Sequence, residues 1–203
     1  MKLYDYKTAP NTRRVRIYLA EKGVAIPLVN VDIMQREQKA PDFLKKNPIG
    51  SIPVLELDDG TCISESLAIC RYIEELHPEP PLFGRTPLEK AMIEMWLRRI
   101  ELNFMVPVGQ VWIHGNPITA RLLKQIPEAA EFGRMRTHLG YKLLDDQLAK
   151  HQFLSGDDYS VVDAIALATI DFAVGLAGVP YNDDMTNLKR WHTEVAARPS
   201  AEA

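Results

Sequence analysis

The chain has 203 residues, of which 46% are hydrophobic and 25% charged, the composition of an ordinary globular protein. This length allows one large domain or two small ones, either with a buried core. Lys and Arg number 24 against 27 Asp and Glu, which gives a formal net charge of −3 and a pI of about 6.0. That balance argues against a dedicated nucleic-acid-binding protein, which usually has a basic face and a higher pI.

Two cysteines, Cys62 and Cys70, are too few for a disulfide scaffold, and their spacing forms no CxxC motif. The N-terminal residues contain no apolar signal-peptide core, and no window of 18 apolar residues is long enough to span a bilayer. No metal-ligand spacing is formed by His114, His138, His151 and His192. We therefore expect a cytoplasmic protein with reduced cysteines, no metal site and no membrane partner.

The first 77 residues alternate β-rich runs with amphipathic stretches. Strands are predicted for residues 2–6, 26–31, 52–57 and 61–64, and helices for 12–22, 40–46 and 66–76. The strand–helix–strand start implies parallel strands joined by a right-handed crossover. A turn at Asp58-Asp59-Gly60 closes the last two strands into an antiparallel hairpin.

Four prolines and one glycine between His77 and Pro87 predict a semi-rigid linker and a domain boundary. Almost no strand signal follows. Helices are predicted for residues 88–114, 129–150, 161–176 and 188–198. Pro107 should kink or interrupt the first of these helices. The third is nearly uncharged, which places it at the centre of a helical domain. We expect an α/β domain over 1–77, a linker over 78–87 and an all-helical domain over 88–203.

The loop between the first strand and the first helix, residues 7–12, is the first candidate ligand site. Ligands in parallel α/β layers bind beyond the carboxyl ends of the strands, and free N–H groups at helix starts attract anions. Arg13, Arg14 and Arg16 add positive charge at a helix start, where the helix dipole disfavours it. The three arginines form either an anion site or a solvated basic face.

Two further segments combine polar groups with unusual backbone positions. Pro53 opens a strand, where it cannot donate to the sheet and could hold a cis peptide bond that frees neighbouring main-chain groups for a ligand. Ser66 suits a helix N-cap, and its hydroxyl and N–H groups could bind a carboxylate while Glu65 holds an ammonium. Glu65 and Ser66 would then recognise an amino-acid head group; otherwise Ser66 is an ordinary cap.

A capping-box pattern begins the nearly uncharged third helix of the second half. Ser160 is followed three residues later by Asp163, in place of the usual Glu. We assign this pair to stability.

Four segments, in their order and spacing, resemble those of the cytosolic glutathione transferase family, and the match covers nearly the whole chain. They are Asn11–Ile17, Phe43–Leu55, Ser64–Ile69 and the run from Phe153 to Asp163. The resemblance implies a thioredoxin-like N-terminal domain, an all-helical C-terminal domain and a homodimer. It also implies that glutathione is a co-substrate, that no cofactor is needed, and that the glutathione thiolate is joined to small hydrophobic electrophiles.

The resemblance also assigns roles to residues. It implies glutathione contacts at Gln38, Ser51, Ile52, Pro53, Glu65 and Ser66. Pro53 matches the family's cis-proline, and Ile52 would pair with the peptide backbone of glutathione. Glu65 and Ser66 would hold the γ-glutamyl head, and Gln38 would contact the glycine carboxylate.

The residue that activates the sulfur departs from the family pattern. Serine- and cysteine-type members use a hydroxyl or thiol near the first helix, but the usual serine position falls on Ala9 here. Thr8 and Thr12 flank this position, and Asn11 is nearby. The run Thr8-Ala9-Pro10-Asn11 resembles the Thr-Pro-Asn motif of some bacterial members, with one residue displaced. We take Thr8 and Asn11 as the candidates for stabilising the sulfur, with Tyr6 next.

A stripe of large apolar residues is the candidate surface for the electrophile. Trp96, Phe104 and Trp112 are spaced by eight, which places them roughly on one side of a helix. Such a stripe is either core or pocket. As a pocket, the apolar half-site would be lined by Phe104, Val108 and Trp112.

Two alternatives to a transferase remain open. The first is a glutathione-dependent peroxidase or disulfide reductase on the same fold, since that chemistry can run through glutathione itself. The second is a non-catalytic ligand-binding or assembly module, which Ala9 favours and which the fold alone does not exclude.

Overall fold

A computed structural model describes residues 1–203. The chain divides into two compact units, one formed by Met1–Leu82 with Pro199–Ala203 and the other by Phe83–Arg198. The division falls within the proline-rich segment that was predicted as a linker. The sequence assigned residues 199–203 to the helical domain, whereas in the structure they pack with the first unit.

The first unit contains a four-stranded mixed sheet. Its strands are β1 (Lys2–Asp5), β2 (Leu28–Asn30), β3 (Val54–Glu56) and β4 (Cys62–Ser64). Its helices are α1 (Pro10–Lys22), α2 (Pro41–Leu44) and α3 (Ser66–Leu76). The strand order is β2-β1-β3-β4, with β1 and β2 parallel and the other pairs antiparallel. The sequence predicted the parallel β1–β2 pair and the antiparallel β3–β4 hairpin.

The helix α1 begins and ends as its sequence dictates. Pro10 occupies the first turn, where its missing N–H is not needed. Gly23 ends the helix in the left-handed conformation at φ 64°, with its N–H donating to the carbonyl of Ala20. Glycine meets no steric penalty there.

A buried ion pair joins α1 to α3. Lys22 pairs with Glu74, and the Tyr18 hydroxyl donates to the same carboxylate over 2.5 Å. Burial, together with the hydrogen bond to Glu74, raises the pKa of Tyr18. The pair lies in the last turns of α1, away from the β1–α1 loop.

The second unit is all helical. Its helices are α4 (Pro87–Ile100), α5 (Val106–Gly115), α6 (Pro127–Leu148), α7 (Val161–Gly175) and α8 (Thr186–Ala196). The sequence predicted a kink or an interruption at Pro107, and the regular helix is interrupted by a π-helical segment, Glu101–Met105, that ends two residues before this proline. Pro107 itself lies in the first turn of α5. None of the helices in the structure is long and apolar enough to cross a membrane.

The predicted capping box at the start of α7 is confirmed. The Asp163 carboxylate accepts from the Ser160 N–H at 3.0 Å, from the Leu154 N–H at 3.1 Å and from Trp191 Nε1 at 2.8 Å. Burial raises the pKa of Asp163 to about 6, although these hydrogen bonds act in the opposite direction. The helix it caps is buried along most of its length, as expected for the centre of the helical unit.

Candidate functional site

One edge of the sheet gathers the segments that carry the predicted glutathione site. Tyr4 pairs with Val54, and Val54 with Ser64, so the residues after β1 and β4 lie beside those before β3. The parallel pairing of Asp5 with Asn30 brings the end of β2 to the same edge. The predicted residues in the segments that start from this edge are Tyr6, Thr8, Asn11, Gln38, Ser51, Ile52, Pro53, Glu65 and Ser66.

Ile52 and Pro53 lie at the centre of this edge. Their peptide bond is cis, as the sequence indicated. The Ile52 side chain packs in an apolar cluster with Ala9 and against Tyr6. Its main-chain N–H and carbonyl form no turn or loop hydrogen bond, so both can pair with an extended peptide laid along the edge.

The loop before Ile52 is held by Asn47, a residue that the sequence analysis did not single out. The Asn47 side chain is 1% exposed. Its Nδ2 donates to the Ser51 carbonyl at 2.8 Å and to Ser51 Oγ at 3.1 Å, and its Oδ1 accepts from the Ile49 N–H at 3.2 Å. The Asn-Pro-Ile-Gly run is typical of a turn and was the signal that could have identified it.

A short 3₁₀ helix, Glu37–Lys39, packs directly on this loop. A Cβ on Gly50 would lie 2.8 Å from the Gln38 carbonyl oxygen, and Gly50 has φ +63°, so glycine is the residue that fits there. The Lys39 ammonium donates to the Ile49 carbonyl at 2.9 Å. Lys39 thus puts positive charge at the edge, a feature that the sequence analysis missed.

Gln38 holds a buried polar atom without a partner. Its Oε1 accepts no hydrogen bond, and its Nε2 lies 3.5 Å from the Ile33 carbonyl. A carboxylate would need a donor from this side chain, and turning the amide by 180° would present the Nε2 N–H donors in place of the oxygen. Gln38 is therefore placed to exchange its weak internal contact for a ligand.

Glu65 and Ser66 follow β4. The predicted N-cap at Ser66 is wrong by one residue, because α3 begins at Ser66 and the N-cap is Glu65. Glu65 is exposed, has φ 70° and ψ 118°, and makes no capping hydrogen bond. Such a backbone costs on the order of 1–3 kcal/mol and is found mostly at functional sites. Ser66 is buried at the first position of the helix, where α3 has free N–H groups.

The β1–α1 loop carries the candidate sulfur activators. Ala9 is the N-cap of α1, and no side chain caps the helix there. Thr12 is buried, and its hydroxyl lies 2.8 Å from the Tyr6 carbonyl and 2.9 Å from the Ala9 carbonyl. Thr8 is exposed, so its hydroxyl is open to a ligand whereas that of Thr12 is occupied.

Asn11 has a buried Oδ1 with no hydrogen-bond partner. A thiolate needs a donor, and rotating the Asn11 amide would present Nδ2 at that place. The arrangement leaves one buried polar atom, Asn11 Oδ1, without a hydrogen-bond partner at the start of α1.

Two family models match this chain. Residues 3–81 match the N-terminal domain of glutathione S-transferase, and residues 127–199 match its C-terminal domain. The chain belongs to the glutathione transferase family.

Relatives of known name or structure agree with this. Glutathione S-transferase 2 of Saccharomyces cerevisiae is 35% identical over 98% of this chain and 87% of its own length. FtsZ-localized protein A of Caulobacter vibrioides is 32% identical over 97% of this chain and 87% of its own length.

Solved structures of the family extend over the whole chain. The structure of Gtt2 from Saccharomyces cerevisiae gives a TM-score of 0.95 at 35% identity and covers 100% of this chain and 99% of that one. A glutathione S-transferase domain-containing protein of Marinobacter aquaeolei VT8 gives a TM-score of 0.92 at 38% identity, covering 98% and 99%. The predicted fold class, a thioredoxin-like N-terminal domain followed by an all-helical C-terminal domain, is confirmed.

The three arginines of α1 have separate roles in this glutathione transferase fold, and they do not form a solvated basic face. Arg14 is buried. Arg13 donates to the Ala201 carbonyl at 3.0 Å, and Arg16 pairs with Asp5. Each of these arginines thus interacts within the protein, and Lys39 is a further positive charge at this end of the sheet.

The apolar stripe of the first long helix is mostly core. Phe104 and Val108 are each 1% exposed, and the Phe104 ring packs edge-on against Tyr141 with centroids 4.7 Å apart. The prediction that these two side chains line a substrate surface is therefore contradicted, because neighbouring helices of the same unit enclose them. Trp112 is half-buried and packs on Phe172 at 5.3 Å, so its role in an apolar half-site stays a prediction.

Proposed function

We propose that this chain is a glutathione transferase that joins the sulfur of glutathione to small hydrophobic electrophiles. The observation that carries the proposal is the gathering of Ile52, Glu65, Ser66 and Lys39 at one sheet edge. Glutathione is a tripeptide with two carboxylates, one ammonium and an extended backbone. The edge offers a matching group for each of these parts.

Each end of the tripeptide has a proposed partner. The free N–H of Ser66 at the start of α3 and its hydroxyl would bind the γ-glutamyl carboxylate, and the exposed carboxylate of Glu65 would bind the ammonium. Ile52 would pair with the cysteinyl backbone beside Pro53. Gln38, together with the ammonium of Lys39, would bind the glycine carboxylate, next to the loop that ends at Ser51.

Activation of the sulfur is assigned to the start of α1. Thr8 and Asn11 would donate hydrogen bonds to the thiolate, with Tyr6 as the next candidate, and the positive end of the α1 dipole would add a favourable field. Each unit by which the thiol pKa falls corresponds to about 1.4 kcal/mol of thiolate stabilisation.

The chemical step is nucleophilic attack by this thiolate. The sulfur lone pair forms a C–S bond with the electrophile, the leaving group departs with its electron pair, and the thiol proton has already passed to solvent. No cofactor, metal, nucleic acid or membrane takes part in this scheme. We also propose that the protein is a cytoplasmic homodimer, as the family generally is.

The first test is calorimetric titration of the purified protein with reduced glutathione. Saturable binding is expected for the wild type and for Glu75→Ala, an exposed glutamate on the same helix. It should be lost in Glu65→Ala and Ser66→Ala. No binding by the wild type at millimolar glutathione would overturn the proposal, and a parallel assay with an aromatic halide and a hydroperoxide separates a transferase from a peroxidase.

A second candidate function is a non-catalytic module that uses this fold for assembly. Two observations favour it: Ala9 has neither hydroxyl nor thiol, and one relative at 32% identity is named FtsZ-localized protein A. This candidate predicts no turnover with any electrophile, even where glutathione binds. Turnover of an aromatic halide by the wild type would reject it.

A further inference from the structure

Arg16 is an arginine of α1 whose guanidinium is almost enclosed. Its side chain is 10% exposed, and that of its partner Asp5, at the end of β1, is 9% exposed. Besides pairing with Asp5, Arg16 donates from Nη2 to the Lys7 carbonyl at 2.7 Å and from Nη1 to Thr12 Oγ1 at 3.2 Å. One guanidinium therefore joins the end of a strand, the loop after it and the first turn of the helix.

Thr12 passes this constraint on to the loop. A hydroxyl has one proton and two acceptor sites. Because Thr12 Oγ1 accepts from Arg16, its own proton is directed at the carbonyls of Tyr6 and Ala9, at 2.8 and 2.9 Å. The Ala9 N–H also donates to the Tyr6 carbonyl at 2.9 Å. The backbone between Tyr6 and Ala9 is thus fixed from the side of α1.

We propose that Arg16 and Asp5 are a positioning pair that sets the conformation of the β1–α1 loop and, through it, the place of the sulfur-activating groups. Neither residue touches the ligand. This inference rests on the proposed function, because the loop carries Thr8 and Asn11, the candidate activators.

The chemistry of the guanidinium explains why arginine stands at this position. Its planar fork presents five donors and can bind a carboxylate, a carbonyl and a hydroxyl together, whereas a lysine ammonium is a compact point charge. Arg16 lies four residues after Thr12, which places the two side chains on one face of α1. A lysine there would keep the charge and the Asp5 pair but lose the link to Lys7 or to Thr12.

Glutathione binding depends on other segments. Ile52, Glu65 and Ser66 lie before β3 and after β4, and none of them contacts Arg16 or Asp5 through a hydrogen bond or ion pair. A misplaced β1–α1 loop should therefore reduce the rate of the chemical step more than the affinity for glutathione.

The test compares Arg16→Gln, Asp5→Asn and their combination with Lys22→Gln. Lys22→Gln is the matched control, because it breaks the buried ion pair with Glu74 at the other end of the same helix. Turnover of an aromatic halide is measured against glutathione concentration and pH. Amide hydrogen exchange of residues 6–12 is measured on the protein alone.

For Arg16→Gln and Asp5→Asn we expect kcat to fall tenfold or more and the KM for glutathione to stay within twofold. The apparent pKa in kcat/KM for the halide, measured at saturating glutathione, should rise by about one unit. The double variant should be no worse than either single one, since both remove the same link. Loop amides should exchange at least tenfold faster than in Lys22→Gln. Should Arg16→Gln fail to fold, Arg16→Lys is used, with the same direction of change.

The inference is overturned if Lys22→Gln, at an equal loss of Tm, lowers kcat as much as Arg16→Gln does. It is also overturned if Arg16→Gln leaves both kcat and loop exchange unchanged. If the wild type binds no glutathione, the proposed function fails by itself. The exchange experiment then decides alone whether Arg16 and Asp5 set the loop.

Discussion

At the scale of single residues, the start of α1 differs most from what the family pattern leads one to expect. Ala9 leaves the helix without a side-chain cap, and Thr12 uses its hydroxyl inside the loop. Thr8 and Asn11 are the polar side chains left near the expected position of the sulfur. Substituting these two side chains should lower the rate of the chemical step and leave glutathione binding largely unchanged.

We expect Asn11→Ala and Thr8→Val each to lower kcat/KM with an aromatic halide by tenfold or more, because each removes one of the proposed donors to the thiolate. Tenfold corresponds to about 1.4 kcal/mol of transition-state stabilisation. Glutathione affinity, measured by calorimetry, should change less than threefold. If both variants keep full activity while Tyr6→Phe loses it, the assignment belongs to Tyr6 instead.

Asp163 gives a pH-dependent prediction. Its pKa in the folded protein is about 6, above the usual value of an unfolded aspartate near 3.9, so the folded state disfavours the charged form. This group therefore favours folding most below about pH 4, and its contribution declines as pH rises to about 6, by about 3 kcal/mol.

The measurement is the free energy of unfolding in urea at several pH values for the wild type and Asp163→Asn. Asparagine does not titrate, so the difference between the two proteins should change between pH 4 and 6.5 and be flat above. Asp158→Asn, at an exposed loop position, should show no such change. If the difference in the free energy of unfolding between the wild type and Asp163→Asn is constant over this range, the raised pKa of Asp163 is contradicted.

The structural role of a residue could be predicted from the sequence where a local rule applies, but not where it depends on contacts between distant segments. The cap at Ser160 follows from residue type and spacing, and the cis bond at Pro53 was implied by the family resemblance. The tight contact of Gly50 with the Gln38 carbonyl and the Lys39 bond to Ile49 depend on two segments that approach only in the fold.

At the scale of elements, close packing of α6 on the π-helical segment depends on one glycine. A Cβ on Gly140 would lie 2.7 Å from Phe104 Cδ2 and 2.9 Å from the Asn103 carbonyl oxygen. The close approach also explains why Phe104 is core and not a substrate surface. The sequence stripe alone did not distinguish the two, because helical spacing is the same for both.

Replacing Gly140 with alanine should therefore destabilise the protein by about 1–3 kcal/mol through overpacking, although alanine is the better helix former. Gly109→Ala is the matched control, since Gly109 lies inside α5 and an added Cβ would meet no atom within 4 Å. That control should be stabilised by up to about 1 kcal/mol. Urea denaturation of both variants checks the prediction. A change in the free energy of unfolding that has the same sign in both variants would contradict it.

Most helices and strands were predictable because their apolar periodicity and their Gly and Pro boundaries agree. The interruption near Pro107 was also predictable, because a proline has no N–H for the helical hydrogen-bond ladder. Its π-helical form over Glu101–Met105 was not, since nothing in the composition of that segment differs from the regular helix on either side.

At the scale of the whole molecule, the first unit includes residues from both ends of the chain. The Ser200 hydroxyl bonds to Glu21, and the Ala201 carbonyl accepts from Arg13. The sequence placed Pro199–Ala203 in the helical domain, because proximity along the chain was the only guide.

We expect a variant that ends at Arg198 to lose about 1–3 kcal/mol of stability in the first unit, from the two lost hydrogen bonds to charged groups. Amide exchange in α1 should rise more than exchange in α7. The substitution Ser200→Ala, which keeps the chain length, should also lower stability and raise amide exchange in α1, but by less than the truncation. Unchanged exchange in α1 for both variants would contradict the structural role of this segment.

The discontinuity of the first unit also affects how the protein is made. Residues 1–82 leave the ribosome more than 110 residues before Pro199, an interval on the order of ten seconds at ordinary rates of synthesis. During that time α1 lacks the contacts that Glu21 makes with Ser200 and Arg13 with Ala201. The unit that holds the proposed glutathione site thus completes its packing only after residues 199–203 have been translated. Slow translation near the end of the message should therefore prolong its exposure to proteases and chaperones.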